Sequence, residues 1–129
     1  LLFMQTAIIT GSLGLVGSHV AQVLAKCGFR IVGIDCDVRS TLFPDVSPLS
    51  SADVSSLNKQ SSIDIHHSVD IRDYAQISHV IESELSSHDV KIFVHCAAQP
   101  SHDWASSAPL VDLNINLVGT INILENLRV

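Results

Sequence analysis

Basic residues are scarce in this sequence: 7 Lys+Arg stand against 13 Asp+Glu among 129 residues, for a formal charge of −6. No cluster of them could neutralise several phosphates of a nucleic-acid backbone, so nucleic acid is not an expected partner. Cysteine is sparse too. Cys27, Cys36 and Cys96 are odd in number, widely spaced and set in apolar sequence, unlike the dense, even sets of small secreted scaffolds. A reducing, cytoplasmic setting is expected. No CxxC pair or HxxxH spacing accompanies them, and no metal site is expected. Although 47% of the residues are hydrophobic, no apolar run approaches the ~20 residues that cross a bilayer, so no membrane association is expected. The opening LLFMQTAIIT lacks a basic n-region and a small-residue cleavage site. It is expected to lead into a first buried strand rather than to act as a signal peptide.

At this length the default is one domain, long enough for a core but short for an enzyme with separate cofactor and substrate domains. Apolar runs of strand length recur at Thr6–Thr10, Ile31–Asp35, Ile63–His67 and Val90–Cys96. Helical periodicity follows the first, third and fourth, the pattern of βαβ units on a parallel sheet. In the first helix Val16, Val20, Val23, Leu24 and Cys27 form one stripe expected to face the sheet, and Gly28 stands where the helix should end. The helix after the third strand carries Tyr74, Ile77, Ile81 and Leu85 on one face, with Asp73 near its start. Between Asp37 and Ser62 lies a Ser-rich stretch with Pro44 and Pro48, where a short helix around Ala52–Lys59 or a mobile loop is expected.

The final segment, Leu110–Arg128, is apolar on two sides of a helical wheel. One stripe holds Leu110, Leu113, Leu117, Ile121 and Leu124; the other holds Val111, Ile115 and Val118. Such a helix wants burial on more than one face. The sheet can cover one, and a further part of the chain or another subunit must cover the other.

The chemistry is concentrated in TAIITGSLGLVGSHVAQVLAKCG, Thr6 to Gly28. Gly11, Gly14 and Gly17 follow a strand and open a helix. By analogy with the dinucleotide fingerprint, one allows a tight reversal, one lets backbone approach a pyrophosphate, and one lets helix pack close to strand. The free amides and dipole of the helix start favour that negative charge. Asp35 ends the next strand about 20 residues on, where a carboxylate can accept hydrogen bonds from an adenosine ribose. The carboxylate welcomes the ribose hydroxyls of NAD and repels the extra phosphate of NADP. Arg39 could compensate for that phosphate, so NADP is kept as the lesser alternative.

These residues resemble the TGxxGxxG fingerprint of extended short-chain dehydrogenase/reductases, the NAD-dependent nucleotide-sugar epimerases and dehydratases. GIDCD, DIRD at Asp70–Asp73, VHCAAQPS at Val94–Ser101 and NINLVGTINILENLR at Asn114–Arg128 come next in the family's order. HCAAQPSHDW is similar to the CDP-paratose 2-epimerase-like group. The resemblance implies an α/β fold: a Rossmann-type doubly wound parallel sheet, incomplete, with about four strands and flanking helices over residues 1–129.

It also implies roles. Leu15 and Val16 would lend amides to the pyrophosphate, and Asp35 and Cys36 would flank the adenosine ribose. Asp70 and Ile71 would hold the adenine, although Asp70 could instead cap the next helix. Ala97 and Ala98 would let ribose and nicotinamide lie against backbone. Asn116 would sit below the nicotinamide end or make a purely structural hydrogen bond. The loop Gln99–Trp104 would border the sugar, with His102 read first as an exposed loop histidine. His66, His67, His79 and His88 read as strand-end and helix-surface residues.

The family's hydride chemistry is implied to need a tyrosine base with a lysine four residues on. The one tyrosine is Tyr74, with Ser78 four residues later, so no catalytic residue is assigned. The resemblance implies that the tyrosine–lysine pair follows a fifth strand, whereas the sequence ends within or just after the fourth helix, so it is expected to be the amino-terminal portion of an epimerase or dehydratase, inactive alone. A non-catalytic dinucleotide-binding module acting through a partner, or one half of a split enzyme, are the alternatives. The implied assembly is a homodimer through the Leu110–Arg128 helix, and the implied substrate of the complete enzyme is a nucleotide sugar.

Overall fold

The computed structural model describes residues 4–43 and 45–128. Residues 1–3, expected to lead into the first strand, and Pro44 lie outside the described residues. Four parallel strands, β1 (Gln5–Thr10), β2 (Arg30–Asp35), β3 (Ile65–Ser68) and β4 (Asp89–His95), form one sheet in the order β3-β2-β1-β4. The chain winds outward from β1 through β2 to β3, then crosses back to place β4 on the other side of β1. The strand order therefore reverses beside β1, where a crevice opens at the strands' carboxyl ends.

α1 (Leu15–Lys26) connects β1 to β2, and α2 (Arg39–Leu42) and α3 (Ser51–Gln60) connect β2 to β3. α3 is the helix expected in the Ser-rich stretch. A reciprocal capping box starts it: the Ser50 hydroxyl accepts from the Asp53 amide while the Asp53 carboxylate accepts from the Ser50 amide. α4 (Tyr74–Ser87) leads to β4, with the Asp73 carboxylate capping it through the Gln76 amide. Asp73, not Asp70, is thus the cap. After β4 come α5 (His102–Ser107), α6 (Pro109–Leu113), a π-helical turn at Asn114–Val118 and α7 (Gly119–Leu127).

Alternation along the central strands divides the core. Ile8, Val32 and Ile34 point to one face, where Ile77, Val80 and Ile81 of α4 meet Ile115 and Ile123. Ala7, Ile9 and Ile31 point to the other, under Ala21 of α1. Each fully buried isoleucine contributes about 1.5–3 kcal/mol relative to exposure. Burial on both faces explains why the strands read as continuous apolar runs.

The sheet-facing side of α1 differs from the expected stripe. Val16, Val23 and Cys27 are exposed, whereas Gly17 and Ala21 are buried, flanked by partly buried Val20 and Leu24. Small residues win this face because they let the helix axis approach the sheet more closely than valines would. The helix closes as expected around Gly28. Its amide donates to the Ala25 carbonyl and the Phe29 amide to the Leu24 carbonyl, a Schellman closure. In α4 the buried face is Ile77, Val80, Ile81 and Glu84, while Tyr74 and Leu85 are exposed.

The terminal helical run also departs from a uniform wheel. Within it the Gly119 amide reaches the Asn114 carbonyl, five residues back. This wide turn rotates α7 about the helix axis relative to α6, so the covered side runs from Val111 and Ile115 to Gly119, Asn122 and Ile123, and Val118 is left exposed. The other stripe, Leu110, Leu113, Leu117, Ile121 and Leu124, stands 45% to 71% exposed.

Candidate functional site

A cleft of about 620 Å³ occupies the crevice at the carboxyl ends of β1, β2 and β4. Its floor is the glycine turn. Gly11 has φ +68°, and a Cβ there would lie 2.6 Å from the Ala97 amide nitrogen and 2.7 Å from the Cys96 carbonyl carbon. Only glycine allows both this conformation and this approach of the β1 turn to the end of β4. The Gly11 amide donates to the Ile34 carbonyl, and its carbonyl accepts from the Gly14 amide. Gly14 then enters α1 in extended conformation with no side-chain cap. The first helical amides, on Leu15, Val16 and Gly17, have no partner within the helix, and all three residues line the cleft. Their N–H groups and the helix dipole make that wall receptive to an anion.

The second wall is acidic. The Asp35 carboxylate accepts from the Leu13 amide at 2.9 Å and from the Asp37 amide at 3.0 Å, fastening the end of β2 to the glycine turn. Cys36 beside it has its thiol pushed up to about 11, chiefly by burial and further by the carboxylates of Asp70 and Asp35. The raised value favours the neutral thiol at physiological pH.

Asp70 follows β3 and binds the Arg72 guanidinium at 2.6 Å and 3.0 Å. Burial pushes the Asp70 carboxyl up, but the hydrogen bonds and charge of Arg72 outweigh it and hold it below the usual carboxylate range. Ile71 lies beneath, and a Cβ on Gly119 would meet its Cδ1 at 2.5 Å. Ala97 and Ala98 line the far end with Pro100 and Ile115.

Eleven of the twelve residues marked out by the sequence thus share one cavity; Asn116 does not line it. Asn116 sits in the π-helical turn, where its Oδ1 accepts from the Gln99 amide at 2.8 Å and its Nδ2 donates to Asp112 at 2.9 Å. Its neighbour Ile115 lines the cleft.

Leu13, Asp37 and Val69 also line the cleft; their only signal in the sequence is position beside a strand's carboxyl end. The loop after β4 runs irregularly to Ser101, which caps α5, and the Trp104 indole N–H in that helix donates to the Leu42 carbonyl of α2. Beneath the cleft His95 bridges Thr10 at 2.6 Å and Thr120 at 3.0 Å. The Thr120 hydroxyl already donates to the Asn116 carbonyl, so it accepts from His95 Nε2–H, and Nδ1 accepts from Thr10. Burial lowers the His95 pKa and favours this neutral ring.

His67 stands near the end of β3 and His88 at the end of α4. Both bind the buried Glu84 carboxylate, at 2.7 Å and 2.8 Å. Among the described residues no group of three or more His, Cys, Asp or Glu side chains could hold a metal ion, and no helix is long and apolar enough to cross a membrane.

Residues 8–129 match the model of the GDP-mannose 4,6 dehydratase family. The chain belongs to this family. Its resemblance to extended short-chain dehydrogenase/reductases with NAD-dependent epimerase and dehydratase activities therefore stands. Mouse UDP-glucose 4-epimerase is 30% identical over 125 residues, covering 97% of this chain and 34% of the relative. Protein CapI of Staphylococcus aureus is 30% identical over 118 residues, covering 92% and 32%. The structure of UDP-glucose 4-epimerase from Thermotoga maritima with UDP-glucose superposes with a TM-score of 0.70 at 26% identity, covering 95% of this chain and 33% of that one. The Thermus thermophilus UDP-glucose 4-epimerase in complex with NAD shares the fold, with a TM-score of 0.69 at 23% identity. This dehydratase-family chain spans about a third of the length of the relatives it matches.

Proposed function

We propose that the cleft is a seat for NAD, and that the chain is the NAD-binding part of a nucleotide-sugar epimerase or dehydratase. The observation that carries this reading is the uncapped start of α1, whose amides open into the same cavity as the Asp35 carboxylate. Leu15 and Val16 would bind the pyrophosphate through backbone, with Gly11, Gly14 and Gly17 keeping that approach clear. Asp35 and Cys36 would flank the adenosine ribose, Asp70 and Ile71 the adenine, and Ala97 and Ala98 the nicotinamide half. NAD, when bound, would supply a hydride acceptor for a sugar carbon and return the hydride later in the cycle. A related epimerase of the same fold in complex with NAD supports the choice of cofactor, and another with UDP-glucose supports a nucleotide sugar as the complete enzyme's substrate.

The chain carries no tyrosine with a lysine four residues on, so it binds but does not turn over by itself. The exposed stripe from Leu110 to Leu124 favours self-association, as a homodimer. The same stripe keeps open a second reading, in which the chain is a non-catalytic dinucleotide module acting through a partner. Calorimetric titration with NAD, NADP, UDP-glucose and GDP-mannose tests the first reading. Saturable NAD binding stronger than NADP binding is expected. A folded chain that takes up no NAD contradicts it.

A further inference from the structure

Asp37 has φ +49°, a conformation that costs a non-glycine residue energy and persists only where neighbours fix it. Here they do. Its amide donates to Asp35 Oδ1 at 3.0 Å, its Oδ2 accepts from the Leu49 amide at 2.8 Å, and its Oδ1 accepts from Arg39 Nε at 3.2 Å. Arg39 adds a second contact to the same oxygen, from its terminal guanidinium nitrogen at 3.1 Å. Both residues line the cleft beside Asp35. The arginine side chain is 45% exposed and the aspartate 17%.

The charges at this end of the cleft then sort into pairs. Arg72 is held by Asp70 and Arg39 by Asp37, and the carboxylate left without a cationic partner is Asp35. A 2′-phosphate on a ribose beside Asp35 would need a free cation within reach. The cation that sequence position offers, Arg39, is already paired with Asp37.

We propose that Asp37 sets the cleft's selectivity for NAD over NADP by restraining Arg39, an inference that rests on the NAD reading above. Asp37 is a positioning residue: it acts on the 2′-phosphate through Arg39. Releasing the guanidinium gives a 2′-phosphate a charge-assisted, planar donor. Asp35 remains to oppose it, so the expected change is a reduction of selectivity and not its reversal.

The test is a double-mutant cycle on the chain, with NAD and NADP titrated against the wild type, Asp37→Asn, Arg39→Gln and the double variant. Asparagine tolerates positive φ and keeps a side-chain acceptor; should Asp37→Asn fail to fold, Asp37→Gly carries the same expectation. The ratio Kd(NADP)/Kd(NAD) is expected to fall about tenfold in Asp37→Asn, the scale of one hydrogen bond to a charged group. It is expected not to fall in Arg39→Gln, and in the double variant to return to the Arg39→Gln value. A raised salt concentration is expected to shrink the gain. An unchanged ratio in Asp37→Asn, with NAD still bound, overturns the role of Asp37 and leaves the NAD reading standing. A gain that survives in the double variant overturns the role of Arg39. If the folded wild type binds neither nucleotide, the NAD reading itself fails and the proposal falls with it.

Discussion

Gly17→Ala sets two physical effects of opposite sign against each other. Gly17 lies inside α1, and by helix propensity alone alanine there stabilises by about 0.8–1.0 kcal/mol. Its added Cβ, however, would lie 2.1 Å from the Gly11 carbonyl oxygen, 2.8 Å from the Gly11 carbonyl carbon and 3.1 Å from Ser12 Cα. All three are backbone atoms, so no side chain can swing aside. The contact must lengthen from 2.1 Å to at least an ordinary 3.4 Å. That means lifting α1 from the glycine turn and loosening Ala21 against Ala7, Ile9 and Ile31. Overpacking of this kind costs about 1–3 kcal/mol, occasionally more, and the upper part of that range applies where backbone must move. After the propensity gain, a net loss of about 2 kcal/mol is expected, equivalent to a Tm about 8 °C lower for a domain of this size. Urea and thermal denaturation monitored by circular dichroism measure it. A variant as stable as the wild type, or more stable, refutes the close packing of α1 on the turn.

Asp35→Ala is expected to weaken NAD by about 10- to 100-fold, the range for hydrogen bonds to a charged group, and to weaken NADP less; equal losses in calorimetry contradict the charge argument. Burial lowers the His95 pKa, and burial also lowers that of His66, with Asp35 opposing and His67 adding to it. Neutral rings are favoured in the folded state, so their stabilisation is complete above the ordinary value of 6.5 and is lost as pH falls through their lowered values. The urea midpoint should therefore decline below pH 6.5, with a shallower slope in His95→Asn; an identical slope contradicts the His95 assignment. Leu117→Glu, in the middle of the exposed stripe, is expected to convert a self-associating chain into a monomer by size-exclusion chromatography with light scattering. No change in mass removes that stripe as the contact.

Much of the site was legible because one turn imposes several steric demands at once. Gly11, Gly14, Gly17 and Asp35 are read from residue type and spacing, and they meet in one cleft. Roles beyond these four came from family resemblance, which brought Asp70, Ile71, Ala97 and Ala98 to the same place. Hydrophobic pattern served less well wherever small residues made the contact: on α1 it favoured Val16 and Val23 over Gly17 and Ala21. The π-helical turn has no periodic signature, so the turn of α7 relative to α6 was not legible. Long-range polar pairs were equally silent. His67 on Glu84, and Trp104 on the Leu42 carbonyl, depend on how distant elements pack. α2 and α5, at four and six residues, are too short to show a period.

The central claim is that the amides at the mouth of α1 and the acidic end of β2 together hold the two halves of one adenine dinucleotide. Amide-resolved NMR titration of the isotopically labelled chain with NAD tests it most directly. The expected result is a saturable set of shifts at Gly14, Leu15, Val16, Asp35 and Ile71, with little change on the outer face of α4. Shifts confined to residues outside the cleft, or none at millimolar NAD, would contradict it.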